Sequence, residues 1–228
     1  MLKTESPKDL VPKFFDKTAQ TYDAVVRWTT FGKDAYWKRQ IVKKIPRCTA
    51  ILDLACGTGI LTIQIAEQFP ESQIVGVDIT ESYLEVAKTK TAPNGRISFV
   101  KQDAESLSLE QKFDCIVSSY IPKYCNPNVL IQTCMNHLKP NGVIVFHDFT
   151  YPKNRIVNAL WHAYFVILGM AGFFMPAWKS VFADLPRLMR TTSWLDDYEC
   201  AMKSHGLKTE RQSMTWGCSA ILTGIKQV

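Results

Sequence analysis

The sequence predicts an α/β protein in one domain. It expects a mostly parallel seven-stranded sheet covered by helices on both faces, with an antiparallel strand near the C terminus. Three observations carry that expectation. From residue 48 onward, short runs almost continuous in apolar residues alternate with helical stretches, the pattern of strands buried on both faces. ILDLACGTGILT, residues 51 to 62, reads as strand, glycine-rich turn and helix. The tail holds two strand-like runs, LKTERQSM and CSAILTGIK, joined by a short Trp216-Gly217 turn that suits a hairpin.

Taken in order, residues 1–47 are expected to form a helical cap before a core spanning 48–150. AILDLA (50–55) opens the sheet and LTIQIAEQF (61–69) is the helix that follows. QIVGVDI (73–79) is the second strand and ESYLEVAKTK (81–90) the second helix. ISFVKQD (97–103), FDCIVSS (113–119) and GVIVFHDF (142–149) are three more strands, with a helix over about 128–138 that ends at LKPNG. Residues 151–193 read as a helical lid or insert, and 194–228 as a C-terminal helix and the hairpin. No repeat or low-complexity linker divides the chain, so 1–228 is a single domain.

At 46% hydrophobic and 21% charged, the composition is that of a soluble globular protein. Seven cysteines without CxxC pairs or zinc spacing read as reduced thiols, which points to the cytoplasm and to no metal. The opening MLKTESPKDLVPKFF lacks the apolar stretch of a signal peptide. Of the net charge of +6, all arises in residues 1–50, with eleven Lys/Arg against five Asp/Glu; the remainder has sixteen of each. The cations are densest at Lys33, Lys38, Arg39, Lys43, Lys44 and Arg47. A solvated helix face explains them plainly; attraction to an anionic lipid surface is the sharper reading. The segment after the fourth strand lacks the Asn/Asp-Pro-Pro-aromatic motif of enzymes that methylate base amino groups, so no nucleic-acid partner is expected.

The chemistry concentrates in the glycine-rich turn. Bare backbone amides at a helix start attract anionic groups. A dinucleotide usually takes GxGxxG, whereas here Gly57 and Gly59 are followed by Thr62. Asp53, at the strand end, would repel a pyrophosphate and attract an ammonium. S-adenosyl-L-methionine carries an ammonium and a carboxylate beside its sulfonium, and suits an acid together with bare amides. Asp78 closes the second strand, about twenty residues past the glycines, where a carboxylate can hold ribose hydroxyls. Asp103 closes the third and can accept from an adenine amine. Each acid alone reads as a helix cap; three along one sheet edge read as a ligand site.

On these residues the chain resembles the Rossmann-like class I S-adenosylmethionine-dependent methyltransferases, and more closely the ubiquinone/menaquinone biosynthesis C-methyltransferase family. FFDKTAQTYD (14–23) and FGKDAYWKR (31–39) look like that family's N-terminal signature. ILDLACGTG, VGVDIT, KQDAESL, FDCIVSS and LKPNGVIVFHDFTYP look like its core motifs, and GCSAILTGIK like its closing strand. The resemblance implies that Thr58, Asp78, Asp103, Ala104 and Ser119 contact the cofactor, and Tyr22 and Ile79 complete the candidate set with Asp53, Gly57 and Gly59. Where ubiquinone-type members have an arginine–asparagine pair, this chain has Lys123 and Tyr124. The implied reaction is C-methylation of a prenylated quinol-type ring, so the expected partner is a small lipidic substrate.

Methyl transfer from a sulfonium is an in-line displacement, and a ring carbon becomes nucleophilic when a neighbouring hydroxyl loses its proton. That asks for a base at the end of the fifth strand. Asp148 is the first choice and His147 the second, the two pointing to opposite faces; a packed, hydrogen-bonded histidine is the plainer reading of His147. Tyr120, Lys123, Tyr124 and Tyr151 are expected to shape the acceptor pocket. The run IVNALWHAYFVILGMAGFFMPAW (156–178) is long enough to span a bilayer, but one crossing would separate the hairpin from its sheet. A buried cap helix, or an apolar lid with peripheral membrane contact, remains. O- or N-methylation of another apolar molecule, and a non-catalytic cofactor-binding subunit of a quinone-synthesis assembly, are the competing functions. Both monomer and homodimer stay open.

Overall fold

The computed structural model describes residues 7–91 and 95–227; residues 1–6 of the expected cap lie outside them. Among the described residues seven strands form one sheet. They are β1 (Ala50–Leu54), β2 (Gln73–Asp78), β3 (Ile97–Lys101), β4 (Phe113–Ser119), β5 (Leu138–Phe149), β6 (Leu207–Met214) and β7 (Ser219–Lys226). Their order is β3-β2-β1-β4-β5-β7-β6. β1 to β5 pair in parallel, and β7 runs antiparallel to both neighbours.

Side chains alternate across this sheet and feed two cores, as the two-residue strand period requires. Leu52, Leu54 and Ile116 pack with Leu130 of α6 (Pro127–His137) and Trp194 and Tyr198 of α9 (Trp194–Ser204). Ile51, Cys115 and Val117 pack on the other face with Trp37 and Ile41 of α3 (Lys33–Val42) and Leu61 and Ile65 of α4 (Ile60–Gln68). Both faces of β1 are therefore dry, which is why AILDL shows no polar alternation.

A third cluster joins the two ends of the expected cap and insert. α1 (Leu10–Phe15), α2 (Tyr22–Thr29), α7 (Arg155–Ala171) and α8 (Lys179–Thr191) contribute Leu10, Phe14, Val25, Leu168 and Phe182 to it. The long apolar run thus breaks at Gly172 into α7 and a short 3-10 turn, Pro176–Trp178. No helix among the described residues is long and apolar enough to cross a membrane.

Element ends differ where local hydrogen bonding intervenes. The third strand stops at Lys101, because Asp103 caps a 3-10 turn at Ala104–Ser106. The fifth begins at Leu138 rather than 142, since Leu138 pairs with Phe113 before the register shifts. In the hairpin, Thr215, Trp216 and Gly217 all take positive φ. One basic residue is corrected: Lys38 is buried against Asp34 and belongs to no solvated face. Lys44 is paired with Glu210 at 2.8 Å, while Lys33, Arg39, Lys43 and Arg47 are exposed.

Candidate functional site

The strand order reverses between β1 and β4, and the crevice at their carboxyl ends is the natural ligand position of such a sheet. There β1 runs into a turn whose left-handed residues are Ala55 (φ 52), Gly57 (φ 57) and Gly59 (φ 80). Gly59 does not line a cavity; its role is to let the turn pass α5 (Glu81–Thr91), where an added Cβ would meet Ala87 at 3.1 Å. Beside the turn lies a cavity of about 340 Å³, and next to it a recess of about 30 Å³.

The three strand-end acids are brought to this edge, each held differently. Asp53 is buried on the recess wall; its Oδ2 accepts from Thr62 Oγ1 at 2.7 Å and its Oδ1 has no partner. Burial pushes its carboxyl up to about 7, against the pull of Thr62 and Lys38. A buried, unanswered carboxylate oxygen facing a small recess fits an ammonium group, so this end of the site suits the methionine moiety of S-adenosylmethionine. Asp78 lines the larger cavity and accepts from Gly57 N and Thr80 N, both at 2.8 Å. Burial raises its carboxyl while those amides oppose the rise. Two amides leave each oxygen a further lone pair for a hydroxyl donor. The Gly57 amide, expected bare, is thereby engaged. Asp103 accepts from Glu105 N at 3.1 Å and pairs with Lys8 at 2.6 Å, so the helix-cap reading also holds for it.

Tyr22, Ile79, Ala104 and Ser119 line the larger cavity, and Thr58 lines the recess. The Thr58 hydroxyl donates to Asp23 at 2.6 Å, and Lys90 bridges Asp23 to the Thr58 carbonyl. Through these bonds α2 fastens the glycine turn.

The acceptor side is built from buried charge. Tyr120, at φ 79, lines both cavities and donates to Asp34 at 2.7 Å, with Lys38 4.9 Å over its ring. A bulky residue in that conformation is strained, a feature that clusters at functional sites. Tyr124 lines the larger cavity. Lys123 lies behind it, its ammonium 4.6 Å from the Tyr124 ring and 2.7 Å from Asp148 Oδ1. Burial draws the lysine down and the carboxyl up, and their mutual attraction opposes both shifts.

Neither Asp148 nor His147 is on a cavity wall. Asp148 also accepts from the Lys123 and Phe149 amides, at 3.1 and 2.7 Å. His147 is held between Ser119 Oγ at 3.0 Å and Ser219 Oγ at 2.9 Å, and Ser119 reaches both cavities. Burial, with Lys38 and Lys123 nearby, drives the imidazole well below its usual range, so it is neutral at physiological pH. Tyr151 is corrected as a pocket residue. The chain turns away after β5 toward α7, and the Tyr151 hydroxyl lies 3.0 Å from His162 Nε2, off the cavity walls.

Sequence reasoning missed Lys8, Asp23, Asp34, Thr62 and Tyr83. Thr62 carried a signal, a polar residue within an apolar helix beginning. Asp34 and Lys38 carried another, opposite charges four residues apart. Tyr83, hydrogen-bonded to Thr18 at 2.7 Å on the cavity wall, carried none.

Comparison with known proteins agrees with this geometry. The profile described as "Methyltransferase domain" matches residues 51–142. The ubiquinone/menaquinone biosynthesis C-methyltransferase UbiE of Geotalea daltonii is 29% identical, over 99% of this chain and 100% of its own. Its namesake in Syntrophotalea carbinolica is 32% identical over 72% and 71%. Among solved structures, the plantazolicin methyltransferase BpumL aligns with TM-score 0.66 at 15% identity, over 97% of this chain and 95% of its own. The N-methyltransferase NodS of Bradyrhizobium japonicum aligns with TM-score 0.58 at 14% identity, over 86% and 97%. These two likenesses concern the fold.

Proposed function

This chain belongs to the ubiquinone/menaquinone biosynthesis C-methyltransferase family of S-adenosylmethionine-dependent methyltransferases, and from that premise we propose that it methylates a ring carbon of a prenylated quinol-type lipid. The observation that carries the reading is one cavity lined both by the acids Asp78 and Asp103 and by the rings of Phe15, Tyr22, Tyr83, Tyr120 and Tyr124. The carboxylates suit a nucleoside, and the aromatic rings suit a flat apolar ring. Relatives support the choice of ring: the demethylmenaquinone methyltransferase of Staphylococcus aureus is 27% identical over 80% of this chain.

When bound, S-adenosylmethionine supplies a methyl group activated by a positively charged sulfur. Asp53 would hold its ammonium group by charge, and Asp78 its ribose hydroxyls by hydrogen bonds. Tyr22, Tyr120 and Tyr124 exclude water from the ring and fix its plane. Ser119 accepts the proton of the ring hydroxyl as it donates its own to the neutral His147; burial, Lys38 and Lys123 oppose an imidazolium there, so it forms only transiently. Asp148 positions Lys123, whose charge beneath the tyrosines favours an anionic ring oxygen. The protein works in the cytoplasm on this reading, and neither a metal nor a nucleic acid takes part.

Incubation with methyl-labelled S-adenosylmethionine and a panel of reduced prenylated benzoquinones and naphthoquinones tests the proposal. Label is expected in at least one extracted quinone. Cofactor binding without transfer to any of them would instead make the chain a non-catalytic subunit.

A further inference from the structure

A helix that is apolar all round is ordinarily buried all round. α7 is apolar but for Arg155, Asn158 and His162, and it is buried on one side only. Trp161 and Leu168 face inward, and Tyr164 and Phe165 pack on the cluster that also holds Phe15 and Tyr124 of the cavity wall. On the opposite side Ile156, Leu160, Val166, Ile167 and Met170 recur at helical spacing, and all are exposed. Past Gly172 the row continues with Phe173 and Phe174, 73% and 89% exposed. It also crosses to a second element. Phe31, 79% exposed between α2 and α3, lies with its ring 5.7 Å from that of Tyr164.

The charge around this face has one sign. Residues 149–183 contain no Asp or Glu. Lys153 and Arg155 stand at one end of α7 and Lys179 beyond the other, with Arg27 and Lys33 near Phe31; all five are exposed. None of the five makes an ion pair among the described residues. The Lys179 ammonium sits 5.5 Å over the Phe173 ring, at the border of apolar and charged surface.

We propose that the outer face of α7, with Phe31, Phe173 and Phe174, docks on the surface of an anionic lipid bilayer. The apolar side chains enter the boundary between headgroups and acyl chains, and the cations lie among the phosphates. A second copy of the chain fits less well. Two such faces meeting would oppose like charges, and this stretch holds no acid to answer them. The proposal rests on the lipid-acceptor reading for its purpose: a prenylated ring resides in a bilayer, and α7 has the membrane on one side and the cavity's cluster on the other.

Flotation of the full chain with phosphatidylcholine vesicles, with or without phosphatidylglycerol, at low and high salt, is the test. The protein should float with the mixed vesicles and bind neutral ones, or mixed ones at high salt, about tenfold more weakly. The Phe173→Ser/Phe174→Ser variant should lose about tenfold or more on mixed vesicles. Its thermal unfolding and cofactor affinity should be unchanged, since both rings are exposed. Absence of flotation, or equal flotation of this variant, overturns the proposal. So does a dimer in sedimentation equilibrium that the variant abolishes. Flotation by a chain inactive on every quinol supports docking while overturning the acceptor reading, so the two fail separately.

Discussion

The two ends of the crevice handle charge in opposite ways. At the cofactor end, Asp53 and Asp78 are held by one hydroxyl or by backbone amides and keep acceptor capacity facing a cavity. Around the Tyr120 and Tyr124 rings, Asp34 is tied to Lys38 and Tyr120, and Asp148 to Lys123, so each of these charges is answered, although Lys38 also lines the recess beside Asp53. A site that binds a polar cofactor needs unspent carboxylate oxygens. A site that binds an apolar ring needs its charges answered in advance, because an unpaired buried ion is expensive. The same residue types therefore do different work within one crevice.

The largest effect that would break this contrast concerns the proton. His147→Gln keeps a side chain able to bond both serines, yet should lower turnover by about 10²–10⁴ with cofactor affinity nearly intact. Single-turnover rates and calorimetry measure the two. A loss of that size in Asp148→Asn alone would move the role to the carboxylate.

Next in size is the dry ion pair. Lys123→Ala strands Asp148 and should destabilise the fold by about 3–5 kcal/mol in denaturant unfolding. Lys123→Met combined with Asp148→Asn, which removes both charges and keeps an acceptor for the Lys123 and Phe149 amides, should recover most of that loss. If the double variant is as unstable as the single one, the pair is more than mutual compensation.

At the cofactor end, Asp78→Ala should weaken S-adenosylmethionine binding by roughly 2–4 kcal/mol in calorimetry, with the domain still folded. An unchanged dissociation constant would remove Asp78 from the site.

The smallest effect is graded with pH. The Asp53 carboxyl is held up near 7, so it carries a proton below that pH and attracts an ammonium only above it. Cofactor affinity should fall by up to about tenfold per unit below about pH 7, a step separate from the loss at higher pH where the cofactor's own α-amino group gives up its proton. Asp53→Asn should abolish this step. A step that survives the substitution belongs to another group.

Legibility in the sequence divides along the same line. β1 and β2 could be read because a strand dry on both faces leaves an almost unbroken apolar run, and Asp53 and Asp78 near their ends stand out against it. The pairings that complete the site join distant residues: Lys8 with Asp103, Asp23 with Thr58, Lys123 with Asp148. No local period encodes them. Lys38 looked like one more cation in a basic stretch, because burial of a charge depends on what folds over it. The run 156–178 is apolar in the sequence, but an apolar helix reads the same whether its outer face is covered or bare.

The central claim is the atom that receives the methyl group. NMR of the product made from carbon-13-labelled S-adenosylmethionine and a reduced prenylated naphthoquinone tests it most directly. The account predicts a labelled methyl bonded to a ring carbon, while label on oxygen or nitrogen would contradict it.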